Sequence, residues 1–145
     1  MIQLNMIDRK EDNMEAFLES SPTKGIVLLV DDEATIIDVC TLMLQRLGYA
    51  VLEARDGQSA VEIFKENKHI VNLVILDMQM PGINGADTYA RLKRIKSDVR
   101  VLLASGYFEN QRIRDMLKNG CDDFIQKPFN FEQLSEKLED IMNCN

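Results

Sequence analysis

From Gly25 onward, short apolar runs alternate with longer stretches in which apolar residues recur every three or four positions. Ile26–Val30, Ala50–Ala54, Leu73–Leu76 and Val101–Ala104 have the length and the Val, Ile, Leu and Ala content of strands buried on both faces, and Asp123–Gln126 is a shorter fifth run. Each run precedes a helical pattern. Ile36, Cys40, Met43 and Leu47, with Ile37 and Leu44 beside them, draw one apolar stripe on a helix that stops at Gly48. Val61 and Phe64 mark the inner face of a helix over Gln58–Asn67, and two more are predicted over Ala86–Ile95 and over Asn110–Leu117, the latter stopping at Asn119 and Gly120. Phe131, Leu134, Leu138 and Ile141 form the face of a fifth. Pro81-Gly82 and Asn84-Gly85 are turn dipeptides between the third strand and its helix. Strict alternation of strand and helix predicts an α/β fold, a parallel sheet covered by helices on both sides.

Residues 1–22 break the pattern. They are polar, with charges packed into Asp8–Asp12, and only Asn13–Leu18 has a helical turn or two in it, so this stretch is read as an extension or linker ahead of a domain over residues 23–145. The linker is equally that of a stand-alone domain or of one excised from a longer chain, such as a hybrid kinase.

Length and composition narrow the function classes. At 145 residues, with 46% hydrophobic and 28% charged residues, the chain is one ordinary globular domain. A net charge of -7 leaves no basic surface for a phosphate backbone, so no nucleic-acid partner is expected. Cys40, Cys121 and Cys144 are odd in number and lack CxxC spacing, and His69 is the single histidine, which excludes a zinc site and points to a reducing compartment. No apolar stretch reaches the roughly 18 residues of a membrane span, and the N-terminus lacks a basic start and apolar core. A cytoplasmic location without membrane contact is the expectation. His69 falls in a surface loop with no nucleophile beside it, and Met43 and Met116 sit at core spacing.

The predicted strand ends carry the candidate chemistry, because ligands in open parallel sheets bind beyond the carboxyl ends of the strands. The first run ends in Asp31 and Asp32, the third in Asp77, the fourth in Ser105, and the fifth in Lys127 and Pro128. Taken alone, Asp31 or Asp32 reads as a cap for the helix beginning near Ala34, and Ser105 as a turn hydroxyl before Gly106. Together, adjacent aspartates with Asp77 on a neighbouring strand make a repulsive cluster that a hard cation relieves. Oxygen ligands select magnesium or calcium, and few carboxylates with room for water favour Mg²⁺. Lys127 is then either an ion-pair partner of Asp32 or Asp77, or a cation kept for an incoming anion. No glycine-rich nucleotide loop is present.

Val30-Asp31-Asp32-Glu33, Asp77 through Gly85, Ala104-Ser105-Gly106-Tyr107 and Lys127-Pro128-Phe129, in that order, resemble the receiver domain of two-component response regulators over about residues 24–143. The resemblance implies a flavodoxin-like sheet of order 2-1-3-4-5. It implies that Asp77 accepts a phosphoryl group, that Asp31, Asp32, Asp77 and the Gln79 main-chain carbonyl hold Mg²⁺, and that Lys127, across a cis Lys127–Pro128 bond, pairs with phosphoryl oxygens. Ser105 would turn its hydroxyl onto the phosphoryl group and Phe124 would rotate inward, switching the surface of the fourth helix, fifth strand and fifth helix. Serine replaces the commoner threonine, and Phe124 lacks the tyrosine hydroxyl. Implied partners are a histidine kinase or histidine phosphotransfer protein and a downstream effector, with the domain a monomer or a phosphorylation-dependent dimer. It would be no enzyme, beyond self-phosphorylation from small donors and slow loss of its phosphate. Two alternatives come from other classes. One is an aspartyl-phosphate phosphatase of haloacid dehalogenase type, from which the chain departs because Gln79 stands where a second aspartate does acid–base work. The other is an interaction module indifferent to phosphorylation.

Overall fold

At the centre of the sheet lies β3 (Val71–Asp77), paired in parallel with β1 (Gly25–Val30) on one side and β4 (Val101–Ser105) on the other. β2 (Tyr49–Ala54) and β5 (Asp123–Gln126) complete the edges, and the order β2-β1-β3-β4-β5 is the one the resemblance implies. The structure, a computed structural model, describes residues 23–106, 111–117 and 121–144. The expected linker over residues 1–22, together with Tyr107, Asn110, Asn119 and Gly120, lies outside them.

Successive strand side chains point to opposite faces, and both faces are covered. Val27, Leu29, Leu73, Ile75 and Leu102 meet Ile37, Cys40 and Leu44 of α1 (Ala34–Arg46) and Leu134, Leu138 and Ile141 of α5 (Phe131–Met142). Ile26, Leu28, Val74, Leu76 and Leu103 meet Phe64 of α2 (Gly57–Asn67), Leu92 of α3 (Gly85–Ile95) and Ile113 of α4 (Gln111–Met116). Two-sided burial is why the strands read as continuous apolar runs, and each fully buried Leu or Ile contributes about 1.5–3 kcal/mol.

The strands outrun the apolar stretches at their ends. β3 begins at Val71 although Asn72 is polar: the pairing with β1 shifts register between Ile26 and Val27, and the Asn72 Oδ1 accepts the Ile26 N–H at 2.8 Å that the shift would strand. Helix starts follow cap chemistry, with Asp56, Asn84 and Asn130 accepting from Ser59, Asp87 and Gln133 amides. α1 differs. Its N-cap position is Glu33, with no side-chain cap bond, so neither Asp31 nor Asp32 serves as its cap. α4 lies within the stretch that the periodicity predicts.

A second correction concerns the cysteines. Cys121 and Cys144 form a disulfide, their Cα atoms 5.7 Å apart, because α5 runs back along the sheet and returns the chain end to the entrance of β5. Their separation of 23 residues carries no local signature, so the sequence pattern concealed the pair. Cys40 is buried and unpaired. No helix among the described residues is long and apolar enough to cross a membrane.

α3 lies close against the end of β3. A Cβ on Gly85 would fall 2.6 Å from the Met78 Cα and 3.2 Å from the Asp77 carbonyl oxygen, both backbone atoms. Gly85→Ala should therefore destabilise the fold by about 1–3 kcal/mol, against the helix preference for alanine, and a urea midpoint at or above wild type would contradict this packing.

Candidate functional site

Strand register assembles the site. Val30 lies opposite Leu76, Asp77 opposite Ala104, and Ser105 opposite Gln126, so Asp31, Asp77, Ser105 and Lys127 emerge side by side at the carboxyl edge. Backbone bonds continue past the strand ends: Asp31 donates to the Ala54 carbonyl, Met78 to Ala104, and Lys127 to the Ser105 carbonyl at 2.7 Å. The Lys127–Pro128 bond is cis, as the resemblance implies.

Asp31, Asp32 and Asp77 each present a carboxylate oxygen within 4.8 Å of the others. Asp31 and Asp77 are buried and Asp32 is exposed. Lys127 Nζ lies 2.7 Å from Asp31 Oδ2 and 3.5 Å from Asp77 Oδ1. Of the two ion-pair partners expected for Lys127, Asp77 is in reach, and the nearest partner is Asp31, buried where Asp32 is exposed. Burial alone would lower the Lys127 pKa, but its hydrogen bond to Asp31 and the fields of Asp77 and Asp31 outweigh that and raise it. Burial raises the Asp77 pKa. The Gln79 N–H bond and Lys127 oppose the rise, and Asp31 and Asp32 add to it.

Three carboxylates against one ammonium leave two negative charges in a small volume, with oxygen the only donor on the acids. That composition fits a hard divalent cation, which Asp31, Asp32 and Asp77 would hold.

Gln79 does more than its main chain implied. Its side-chain Oε1 accepts the Gly106 N–H at 3.1 Å and lies 3.4 Å from the Ser105 hydroxyl, joining the loops after β3 and β4. No sequence signal marked this contact, which exists only because β3 and β4 end side by side. Ser105 is buried. Phe124 is half-buried and packs on the α3 and α4 side of the core. It also borders a groove of about 650 Å³ with Gln126, Gln133, Glu136 and Lys137. His69 is exposed, away from these residues.

A family model described as the response regulator receiver domain matches residues 27–139. The chain is 33% identical over 119 residues to the "Probable transcriptional regulator ycf27" of Porphyridium aerugineum, a match covering 82% of this chain and 48% of that one. It is 34% identical over 125 residues to the "Autoinducer 1 sensor kinase/phosphatase LuxN" of Vibrio harveyi, covering 86% of this chain and 14% of that protein. It thus spans about half the length, or far less, of these curated relatives. Among solved structures, a response regulator receiver domain protein from Clostridium thermocellum superposes with a TM-score of 0.77 at 28% identity, over 82% of this chain and 94% of that one.

The raised Asp77 pKa has a stability consequence. Folded Asp77 holds its proton more tightly than unfolded Asp77, an advantage complete below the ordinary carboxylate range and lost as pH rises through the raised pKa. Ionising the buried group as pH rises therefore costs the folded state stability. With divalent ions chelated, Asp77→Asn should unfold at higher urea than wild type at neutral pH, with the gap closing toward about pH 4. A gap independent of pH would contradict the burial of that charge.

Proposed function

The chain belongs to the response regulator receiver domain family, and from that premise we propose that Asp77 is its phosphoryl acceptor. As a receiver it serves two-component phosphorelay signalling. The observation that carries the assignment to Asp77 is the convergence of three carboxylates within 4.8 Å on a lysine that touches two of them.

In this reading a carboxylate oxygen of Asp77 attacks the phosphorus of a phosphohistidine on a histidine kinase or histidine phosphotransfer protein. The N–P bond breaks, the imidazole leaves, and Asp77 becomes an acyl phosphate. Phosphoryl transfer requires alignment and neutralisation of charge on the equatorial oxygens. Asp31, Asp32, Asp77 and the Gln79 main-chain carbonyl would hold Mg²⁺, which would supply part of that neutralisation. Lys127 supplies the rest by exchanging its Asp31 partner for a phosphoryl oxygen.

The Ser105 hydroxyl and the Gly106 N–H face the same site and now meet the Gln79 amide oxygen. A phosphoryl oxygen on Asp77 takes these donors over. Ser105 moves toward it, Phe124 fills the space vacated, and the groove between β5 and α5 changes shape for an effector. The domain, over residues 23–145, acts as a monomer or a phosphorylation-dependent dimer in the cytoplasm. It releases its phosphate slowly by hydrolysis and turns over no other substrate. Gln79 in place of a second acid disfavours the phosphatase alternative.

Incubation with Mg²⁺ and acetyl phosphate, followed by intact mass, tests the assignment. Wild type should gain one phosphoryl group and Asp77→Asn none; an adduct retained in that variant would move the acceptor elsewhere. Lys127→Ala should label on the order of 100-fold more slowly while still binding Mg²⁺. Gln79→Ala, which removes the amide oxygen that a phosphoryl group has to displace from the Gly106 N–H, should label several-fold faster, and an unchanged rate would mean that this contact does not restrain the site.

A further inference from the structure

Cys121 and Cys144 are bonded at the end of the sheet opposite the acidic pocket, where the strands begin. Cys121 stands two residues before β5 and Cys144 two residues after α5. Their bond closes a covalent ring around β5, Lys127, Pro128 and all of α5.

Other contacts hold the two ends together independently of the sulfurs. The Arg100 guanidinium donates to the carbonyls of Ile141, Met142 and Cys144, each at 2.9 Å, and so caps the last turn of α5 from the entrance of β4. Beside Cys121, the Asp122 side chain is 1% exposed, takes Lys93 Nζ at 2.9 Å and the Val101 N–H at 2.9 Å, and accepts from the Tyr89 hydroxyl. These contacts hold the two cysteines beside one another without the sulfurs, as a bond that forms and breaks in the folded chain requires. Both are partly exposed. Cys40 differs: it is 3% exposed, and burial, with the Asp31 field adding, pushes its thiol up to about 11.

We propose that Cys121 and Cys144 are a reversible thiol–disulfide site, oxidised by glutathione-type or protein disulfides, that sets how readily the β5–α5 unit opens. One cysteine thiolate attacks a sulfur of the incoming disulfide, whose S–S bond breaks and releases one reagent thiol. The second cysteine thiolate attacks the mixed disulfide and releases the other. The two cysteine protons go to the departing thiolates, two cysteine thiols are oxidised, and one external disulfide is reduced to two thiols. Closing a ring of this length restricts the opened unit far more than the folded one. The ring encloses Phe124 and Lys127, and under the receiver reading it stiffens the switching segment.

The test uses the 145-residue chain equilibrated with dithiothreitol or with oxidised glutathione, blocked with iodoacetamide and measured by intact mass and peptide mapping. The oxidised form should be two hydrogens lighter than the unmodified reduced chain, with Cys121 and Cys144 linked and unalkylated. Amide hydrogen exchange of α5 should be on the order of 100-fold slower in that form. Cys144→Ser, near the chain end, should abolish the redox dependence, and Cys121→Ser should do the same. Stable glutathione adducts without ring closure, no oxidation, or equal α5 exchange in both forms would overturn the proposal. Acetyl phosphate labelling of each form separates the two readings: no label in either form counts against the receiver assignment and leaves the thiol result standing.

Discussion

The crowding of Asp31, Asp32 and Asp77 is the constraint around which the site is organised. Parallel pairing of β1 with β3 forces their carboxyl ends together, and the core that pairing buries outweighs the repulsion it creates. Lys127 offsets part of the remainder, 2.7 Å from Asp31. It can reach because β5 pairs with β4 and the Lys127 amide continues that pairing to Ser105. One lysine against three acids leaves the site short of positive charge, a deficit that suits a divalent cation and, in the proposed function, a phosphoryl group after it.

Positions away from the acids serve the same geometry. Gly85 lets α3 lie against the backbone at Met78, immediately behind Asp77. Thr88, one turn on, is fully buried with its hydroxyl on the Asn84 carbonyl, so the first turn of α3 is held to the loop that carries Gln79. Gln79 in turn ties that loop to Ser105 and Gly106. One amide side chain thus joins the loop after β3 to Ser105, one of the two residues read as switch elements.

β5 and α5 span the molecule from end to end. Lys127 stands at the acidic edge, while Cys121, Cys144 and the Arg100 cap stand at the other. The unit that carries Lys127 to the acidic edge is the one whose ends are covalently joined. The two proposed inputs, a phosphoryl group and a thiol–disulfide exchange, would therefore bear on one strand and one helix.

Much of this was legible in the sequence alone, for a physical reason. Buried strands must be apolar and helices must carry stripes, so the runs at Ile26, Leu73 and Val101 and the stripes at Ile37 and Leu134 reported the α/β alternation directly. Asp31, Asp32, Asp77, Ser105 and Lys127 stood out because polar residues at the ends of apolar runs have few structural uses. What stayed hidden depends on which strands lie side by side and in what register. The choice of Asp31 over Asp32 as the partner of Lys127 follows from the depth of each side chain. The role of Asn72 follows from a register shift, the reach of Gln79 follows from the adjacency of β3 and β4, and the Cys121–Cys144 bond follows from α5 returning along the sheet. Local pattern determined the elements and nominated the chemistry, because burial acts residue by residue. Tertiary structure alone decided the partners, because they lie far apart in the chain and meet only when the sheet closes its register.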